Sequence, residues 1–158
     1  MTDDTKHTPE RFFEDYVPGQ VIALGEVRVT EADIIEFASR YDPQPMHVDP
    51  EAARHSRFGG LVASGWQTTV LTMRLYVDRF LWHGSSLASP GVDEIRWPHP
   101  VRPGDVLRAR ATVVETTPSR KRDDRGVVRS KVEAENQDGQ LVFSMLVISI
   151  VAKRPSAT

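Results

Sequence analysis

The residues best suited to proton transfer stand close together in the segment RYDPQPMHVDP. Asp42 and His47 are five residues apart, and two prolines lie between them. A carboxylate and an imidazole can act as general acid and general base. Because proline restricts its own backbone and that of the preceding residue, we expect a stiff, irregular loop here. Structural interpretations stay open: Asp42 as a helix C-terminal or Asx-turn residue, and His47 as a hydrogen-bonded core residue.

A glycine-rich run follows this segment and leads into a long apolar stretch. The run FGGLVASG ends at Ser64 and Gly65, where we expect the longest helix to begin and to continue to about His83. The Gly65 N–H would then be an unpaired donor at a helix start, strengthened by the helix dipole and unobstructed by a side chain. Two structural roles stay open, because Gly65 can serve tight helix packing and Ser64 can cap the helix.

Two other patterns in this part of the chain predict no site. Gly59 and Gly60 lack the lysine and the βαβ context of a phosphate-binding loop. The histidines His55, His83 and His99 lack the spacing of metal ligands. We therefore expect no metal site.

Composition limits the function classes. The chain has 158 residues, enough for one domain with a real core. Its net charge of -2 gives no basic field that would attract nucleic acid. It contains no cysteine, which excludes disulfides, thiolate metal sites and cysteine nucleophiles. The absence of cysteine is also typical of cytoplasmic proteins.

The ends of the chain and its apolar segments predict one domain without a membrane anchor. The segment MTDDTKHTPERFF lacks the pattern of a secretory signal, and the apolar stretch from Trp66 to Trp82 is interrupted by three charged residues. We expect a flexible tail over residues 1–11, a domain over 12–153 and a C-terminal tail over 154–158. A cytoplasmic location is the expectation.

Local signals place helices in the first half. The β-branched run Val21 to Val29 predicts a strand, and Thr30 with Asp33 forms an incomplete capping box for a short helix that ends at Asp42. A second short helix is expected in VDPEAARHS, capped by Asp49. The helix from Gly65 has apolar residues on most sides, so we expect other structure to enclose it.

The second half alternates with a period of two and predicts antiparallel strands. The inward residues are expected to be Leu107, Ala109, Ala111 and Val113 in one strand and Val128, Ser130, Val132 and Ala134 in the next. Further strands are expected from Gly91 to Trp97 and from Leu141 to Val151, the latter central because it is apolar on both faces. The segregation of helices and strands predicts an α+β fold, with a curved antiparallel sheet wrapped around a long central helix.

From about Phe12 to Ala152, the chain resembles the MaoC-like (R)-specific enoyl-CoA hydratase and acyl dehydratase family, which has the hot-dog fold. RFFEDYVPGQ resembles the family's opening segment, YDPQPMH its hydratase motif, and FGGLVASG the loop before its central helix. HPVRPGDVLRARATVVETTPSR and NQDGQLVFS resemble its later strands and turns. The chain differs at two positions: it has Gln44 where the family often has asparagine, and Ser64 where it often has histidine.

The resemblance implies reversible hydration of a trans-2-enoyl-CoA to a 3-hydroxyacyl-CoA. This reaction delivers water to the β-carbon and a proton to the α-carbon, while negative charge builds up on the thioester oxygen. The resemblance implies that Asp42 and His47 hold the water. The oxyanion or substrate-binding candidates are Gly65 and Ser64.

The remaining expectations concern the substrate pocket and partners. Met46, Phe58 and Trp66 are candidates for the acyl pocket, although such residues are more often plain core. No cofactor is expected, since the coenzyme A thioester is the substrate. The resemblance implies a homodimer with edge-paired sheets, and a higher homo-oligomer is possible. No nucleic acid or membrane partner is expected.

Two other functions and one other site stay open. A hot-dog thioesterase often has a carboxylate on or near the central helix, and this helix carries none before Asp78. A non-catalytic acyl-CoA-binding subunit should lack the Asp–His pair, and this chain has it. The basic run Ser119 to Gly126 is typical of a solvated hairpin loop, but it can also contact the phosphates of coenzyme A.

Overall fold

A computed structural model describes residues 8–157 of the chain. One 3-10 turn, four helices and five strands follow one another in this order: the turn Phe13–Asp15, β1 Val21–Arg28, α1 Glu31–Tyr41, α2 Pro45–Val48, α3 Pro50–Arg54, α4 Gly65–Arg79, β2 Ser86–Arg96, β3 Val106–Pro118, β4 Arg125–Glu135 and β5 Leu141–Ala152. Within this part of the chain, no helix is both long and apolar enough to cross a membrane.

The five strands form one antiparallel sheet in the order β1-β3-β4-β5-β2. β5 is paired on both sides, as expected, but β4 has the middle position. β2 begins five residues earlier than predicted and lies at an edge, where it pairs only with β5. The sheet and α4 together confirm the predicted α+β fold.

The alternation of β3 and β4 defines the inner face of the sheet. All eight residues that were predicted to point inward are buried: Leu107, Ala109, Ala111, Val113, Val128, Ser130, Val132 and Ala134. α4 packs against this face through Tyr76, whose ring stacks on that of Phe80 with a centroid distance of 4.7 Å. The core therefore lies between α4 and the sheet.

The prediction that α4 is enclosed on most sides is wrong for the single chain. The helix ends at Arg79 rather than near His83, and its buried residues are Gln67, Thr68, Thr72 and Tyr76. The outer stripe of α4 consists of Trp66, Val70, Met73 and Val77, which are 37% to 53% exposed. Mostly polar residues bring this helix close to the sheet, and Leu71 and Leu75 also pack against the core, whereas the four large apolar residues of the outer stripe point away from it.

Capping interactions fix the ends of the helices before α4. Thr30 and Asp33 form a complete capping box at α1, because the side chain of each residue accepts a hydrogen bond from the backbone N–H of the other. Asp42 is the C-terminal cap of α1, and Asp49 caps α3, as predicted. The expectation of an irregular loop around His47 is wrong, because this residue lies in α2. Pro45 tolerates that helix because a first-turn N–H has no intrahelical partner.

The ends of the described chain contact the domain. Thr8 donates a hydrogen bond to the Asp78 carbonyl oxygen at 2.5 Å, and Arg154 pairs with Asp15 at 2.8 Å. Most of the predicted N-terminal tail, residues 1–7, lies outside the described residues. The domain boundaries therefore stay a prediction.

Candidate active site

The structure brings Asp42 and His47 together. α1 ends at Asp42, and α2 places His47 so that its Nε2 lies 3.5 Å from the Asp42 Oδ2. The His47 side chain is 9% exposed and the Asp42 side chain is 20% exposed. The pair is thus shielded from bulk water without being sealed.

A backbone contact sets the orientation of the imidazole. The His47 Nδ1 lies 2.7 Å from the carbonyl oxygen of Val62. Because a carbonyl oxygen can only accept a hydrogen bond, Nδ1 carries a proton. In the neutral ring, Nε2 then presents a lone pair toward the Asp42 carboxylate. Two acceptors that face each other suit a water molecule that donates one hydrogen to each.

Two side chains hold the carboxylate of Asp42. The Gln44 Nε2 donates to Oδ1 at 2.6 Å, and the Ser64 Oγ donates to Oδ2 at 2.7 Å. Burial alone would raise the pKa of Asp42, but these hydrogen bonds and the nearby His47 outweigh it and lower the pKa below its usual value. Gln44 and Ser64, the two departures from the family's usual residues, are therefore the direct hydrogen-bond partners of Asp42.

Ser64 has two roles at the start of α4. Its side chain caps the helix by accepting from the Trp66 N–H at 3.2 Å, while its hydroxyl hydrogen goes to Asp42. Ser64 is fully buried. A direct contact of Ser64 with substrate stays a prediction.

Gly65 is the first residue of α4, and its N–H has no hydrogen-bond partner among residues 8–157. The indole of Trp97 covers this glycine, and a Cβ atom added at Gly65 would lie 2.5 Å from that ring. The Trp97 Nε1 donates to the Thr69 Oγ1 at 3.1 Å, which fixes the indole against α4. Gly65 therefore allows close packing against Trp97, and its N–H also remains available as a hydrogen-bond donor.

A cavity of about 380 Å³ adjoins these groups. His47 and Gly65 line it, and so do two of the predicted acyl-pocket residues, Met46 and Phe58. Trp66 does not line this cavity, but its ring lies 5.2 Å from that of Trp97, measured between centroids. The other walls are mostly apolar and include Val62, Ala63, Val101 and Val142.

The lining residues that were not predicted to belong to the site include three with large polar or aromatic side chains, Arg57, Trp97 and His99. Arg57 follows α3, whereas Trp97 and His99 follow β2, so only the tertiary fold brings them to Asp42 and His47. No spacing in the sequence indicates this approach. The only local hint of a role for Trp97 and His99 is the proline-containing segment WPHPV, which lies between a strand and a turn.

A larger cavity, about 650 Å³, lies further along α4 between the helix and β2. Besides His83, its lining includes two ionisable residues, Asp78 and Tyr76, that are poorly suited to proton transfer. Asp78 is held by the Arg74 guanidinium at 2.8 Å. Burial raises the pKa of Tyr76 to about 12, and its hydroxyl lies 3.0 Å from the Ser149 Oγ. The chemistry therefore points to the smaller cavity beside His47.

The basic run lies in the hairpin between β3 and β4, at the opposite end of β3 from the cavity wall. β3 begins just after the turn that follows Val101 in the cavity wall and ends at Pro118, roughly 40 Å away for an extended strand. A hydrogen bond from Arg125 lowers the pKa of Asp124 to about 2. Arg122 also approaches Asp124, at 3.5 Å.

Within residues 8–157, no three histidine, aspartate or glutamate side chains gather as a metal site would require. The expectation that no metal takes part stays a prediction.

Comparison with known proteins gives the family. Residues 15–137 match the family described as MaoC like domain, so the chain belongs to the MaoC-like family. The crystal structure of the MaoC-like dehydratase from Rhodospirillum rubrum superposes with a TM-score of 0.87 at 42% sequence identity, covering 93% of this chain and 100% of that chain. The hot-dog fold implied by the resemblance is thereby confirmed.

Two relatives of similar length extend this finding. Uncharacterized protein YdeM of Bacillus subtilis (strain 168) is 31% identical over 141 residues, which make up 89% of this chain and 98% of YdeM. The 3-hydroxyacyl-thioester dehydratase Z of Mycobacterium tuberculosis is 30% identical over 128 residues, or 80% of this chain and 85% of that protein. The family thus includes a relative named for dehydration of a 3-hydroxyacyl thioester.

Proposed function

We propose that this protein reversibly hydrates a trans-2-enoyl-CoA to a 3-hydroxyacyl-CoA. The observation that carries the proposal is the 3.5 Å approach of the His47 Nε2 to the Asp42 Oδ2 beside a cavity that also contains the unpaired Gly65 N–H. These three groups match the minimum needs of the reaction. The name of the M. tuberculosis relative supports the same chemistry.

In the hydration direction, Asp42 and His47 orient one water molecule through its two hydrogens. The water oxygen forms a bond to the β-carbon of the enoyl group as one member of the pair accepts a water proton. The pair then delivers a proton to the α-carbon, which gives the 3-hydroxyacyl product and restores the pair to its starting state. Because the two groups are coupled, their acid and base roles belong to the pair. Dehydration follows the same steps in reverse.

The thioester oxygen becomes negatively charged as the β-carbon is attacked. In the proposed complex this oxygen accepts a hydrogen bond from the Gly65 N–H, which the start of α4 strengthens. One such donor contributes on the order of 3 kcal/mol to the transition state of comparable reactions. Pro43 lies in the short connection between α1 and α2, and Pro45 is the first residue of α2. Both restrict the backbone between the two water-binding groups and so lower the entropic cost of the reaction.

The other two candidate functions have less support. A thioesterase carboxylate on α4 would have to be Asp78, which pairs with Arg74 away from the cavity beside His47. A non-catalytic subunit would not need a carboxylate with two donors and a neighbouring imidazole. Release of free thiol without hydration would favour the first alternative, and binding without turnover would favour the second.

The direct test is a hydration assay with purified protein. Loss of the absorbance of the conjugated enoyl thioester measures the rate on short, medium, branched and dicarboxylic enoyl-CoAs. We expect turnover of at least one of these substrate classes without added metal or cofactor. We also propose that the protein acts in the cytoplasm. Absence of turnover across the whole series would contradict the proposal.

We propose that the active form is a homodimer. The outer stripe of α4 and the exposed edge strand β2 border the cavity of about 650 Å³, which is lined by Met73, Val77, Leu87 and Val92 among others. A second copy related by a two-fold axis would cover this apolar surface and the β2 edge together. Pro90 and three register shifts interrupt β2, so the helix stripe would contribute much of the contact.

A further inference from the structure

The cavity beside His47 has a basic mouth. Arg57 and His99 line the cavity with exposed side chains, and no aspartate or glutamate is among its lining residues within the described chain. A third basic residue, Arg102, reaches the same segment, because its guanidinium donates to the Phe58 carbonyl oxygen at 2.8 Å. Positive charge is therefore concentrated at one opening of a chain whose net charge is -2.

Arg57 differs from neighbouring arginines in its free hydrogen-bonding capacity. Its guanidinium lies 5.6 Å from the centre of the Phe58 ring and has no carboxylate partner among residues 8–157. By contrast, Arg54 pairs with Glu51 at 3.0 Å. The ring holds the Arg57 side chain near the mouth, while its planar set of N–H donors stays available.

His99 offers a second group from a different segment. Its Nδ1 lies 2.9 Å from the carbonyl oxygen of Leu141, so Nδ1 carries a proton and the ring is fixed. The opposite nitrogen, Nε2, has no partner among the described residues and donates to an anion when the ring is protonated. Arg57 follows α3 and His99 follows β2, so an anion bound between them would be held from two sides of the chain.

We propose that Arg57, with His99 beside it, binds the phosphate of the pantetheine-linked carrier to which the acyl group is attached. This inference rests on the proposed function, which places the thioester at Gly65 inside the same cavity and leaves the carrier at its mouth. Guanidinium groups suit phosphate because they form paired, charge-assisted hydrogen bonds. A negatively charged protein needs such a local positive site to attract an anionic substrate.

The basic hairpin is the competing location for this contact. Its tip lies roughly 40 Å along β3 from the cavity of the same chain. Arg122 and Arg125 in this hairpin approach Asp124, which offsets part of their charge. In a homodimer the hairpin of the partner copy could lie closer, so the experiment includes a hairpin variant.

The test compares Arg57→Gln with the wild type on three crotonyl thioesters: the coenzyme A, phosphopantetheine and pantetheine esters. We expect Arg57→Gln to lower kcat/KM for crotonyl-CoA about tenfold, mainly through KM, because one charge-assisted contact is lost. Both proteins should react equally with the pantetheine ester, which has no phosphate. If Arg57→Gln also loses kcat/KM on the phosphopantetheine ester, Arg57 contacts the phosphate that coenzyme A shares with carrier proteins. If it loses kcat/KM on crotonyl-CoA alone, Arg57 contacts the phosphates of the nucleotide.

The matched controls are Arg54→Gln, which removes the same charge three residues earlier in the chain, at the end of α3, and Lys121→Gln at the hairpin tip. We expect both to keep the wild-type kcat/KM on all three esters. An equal loss in Arg54→Gln would indicate a general charge effect, and a loss in Lys121→Gln alone would move the contact to the hairpin. An equal loss of Arg57→Gln on all three esters would indicate a structural defect. Each of these three losses would overturn the proposal.

Calorimetric binding of coenzyme A separates this proposal from the proposed reaction. If the wild type turns over no ester, the hydratase proposal fails, but binding to the wild type and to Arg57→Gln can still be compared. We expect about tenfold weaker binding by the variant, and less difference as ionic strength rises, because salt screens exposed charges. Equal binding by both proteins would refute a phosphate contact at Arg57.

Discussion

At the scale of single residues, the site depends on how one carboxylate is held. Gln44 and Ser64 donate to different oxygens of Asp42, at 2.6 and 2.7 Å, and His47 approaches Oδ2. Hydrogen bonds to a carboxylate favour its ionised form, which is the form that can accept a proton from water. The residues that distinguish this chain from its family's usual motif thus keep Asp42 ionised.

Replacing Gln44 with leucine should change the pH dependence of hydration. The loss of a donor to the ionised carboxylate raises the pKa of Asp42, since that hydrogen bond now lowers it. Activity that needs ionised Asp42 should then disappear at a higher pH on the acid side of the kcat/KM profile. Gln44→Asn retains an amide and serves as the control. An unchanged acid limb in Gln44→Leu would show that this hydrogen bond does not control the ionisation of Asp42.

At the scale of elements, the start of α4 packs against Trp97, the residue that directly follows β2. Trp97 lies against Gly65 and donates a hydrogen bond to Thr69, while the Gly65 N–H has no hydrogen-bond partner among residues 8–157. The close approach requires the absence of a side chain. The same contact therefore fixes the position of the helix end that is proposed to bind the thioester oxygen.

The substitution Gly65→Ala should destabilise the protein by about 1 to 3 kcal/mol, because the added methyl group overlaps the Trp97 indole. Urea denaturation measures this cost. In a Trp97→Ala background the methyl group has room, so the same substitution should be nearly neutral. Equal costs in the two backgrounds would mean that the overlap is relieved by other movements and that Trp97 does not enforce glycine at this position.

Sequence patterns predicted the positions of helices and strands better than they predicted which other parts of the protein cover them. Period-two alternation identified the buried residues of β3 and β4, capping signals located the starts of α1 and α3, and Pro43 located the end of α1, because these features depend on neighbouring residues. The outer stripe of α4 could not be assigned, since the pattern of an apolar stripe does not reveal which surface covers it. A short helix around His47 was also missed, because proline was read as a breaker and not as a first-turn residue.

In the candidate site, residues close together in the sequence were predicted, whereas residues that only the tertiary fold brings together were not. Asp42, His47 and Gly65 were predicted from a local motif and a resemblance, and the structure brings them into one region. Arg57, Trp97 and His99 come from segments that are distant in sequence, so their approach depends on the order of strands and on the turn after β2. The partnership of Ser64 with Asp42 spans 22 residues and likewise has no local signal.

At the scale of the whole molecule, the single chain leaves an apolar surface uncovered. Trp66, Val70, Met73 and Val77 follow one side of α4, next to an edge strand whose residues are almost all exposed. Surfaces of this kind mark interfaces in soluble proteins. A homodimer would bury them.

Placing a charge on this surface should dissociate the proposed dimer. We expect Val70→Asp to be a monomer at micromolar concentration, because an unpaired carboxylate would be buried in the interface. Val114→Asp is the matched control, since both valines are 49% exposed and Val114 lies on β3. Light scattering after size exclusion measures the mass. A monomeric wild type, or a dimeric Val70→Asp variant, would contradict the proposed interface.

The most direct measurement is the rate of crotonyl-CoA hydration by Asp42→Asn and His47→Gln, compared with the wild type. Asp49→Asn and His55→Gln are controls, because asparagine still caps α3 and His55 is exposed. We expect each site variant to lose at least about 100-fold in kcat, the usual contribution of a general acid or base, while both controls stay near the wild type. A wild type that hydrates crotonyl-CoA and site variants that match its rate would contradict the assignment of Asp42 and His47.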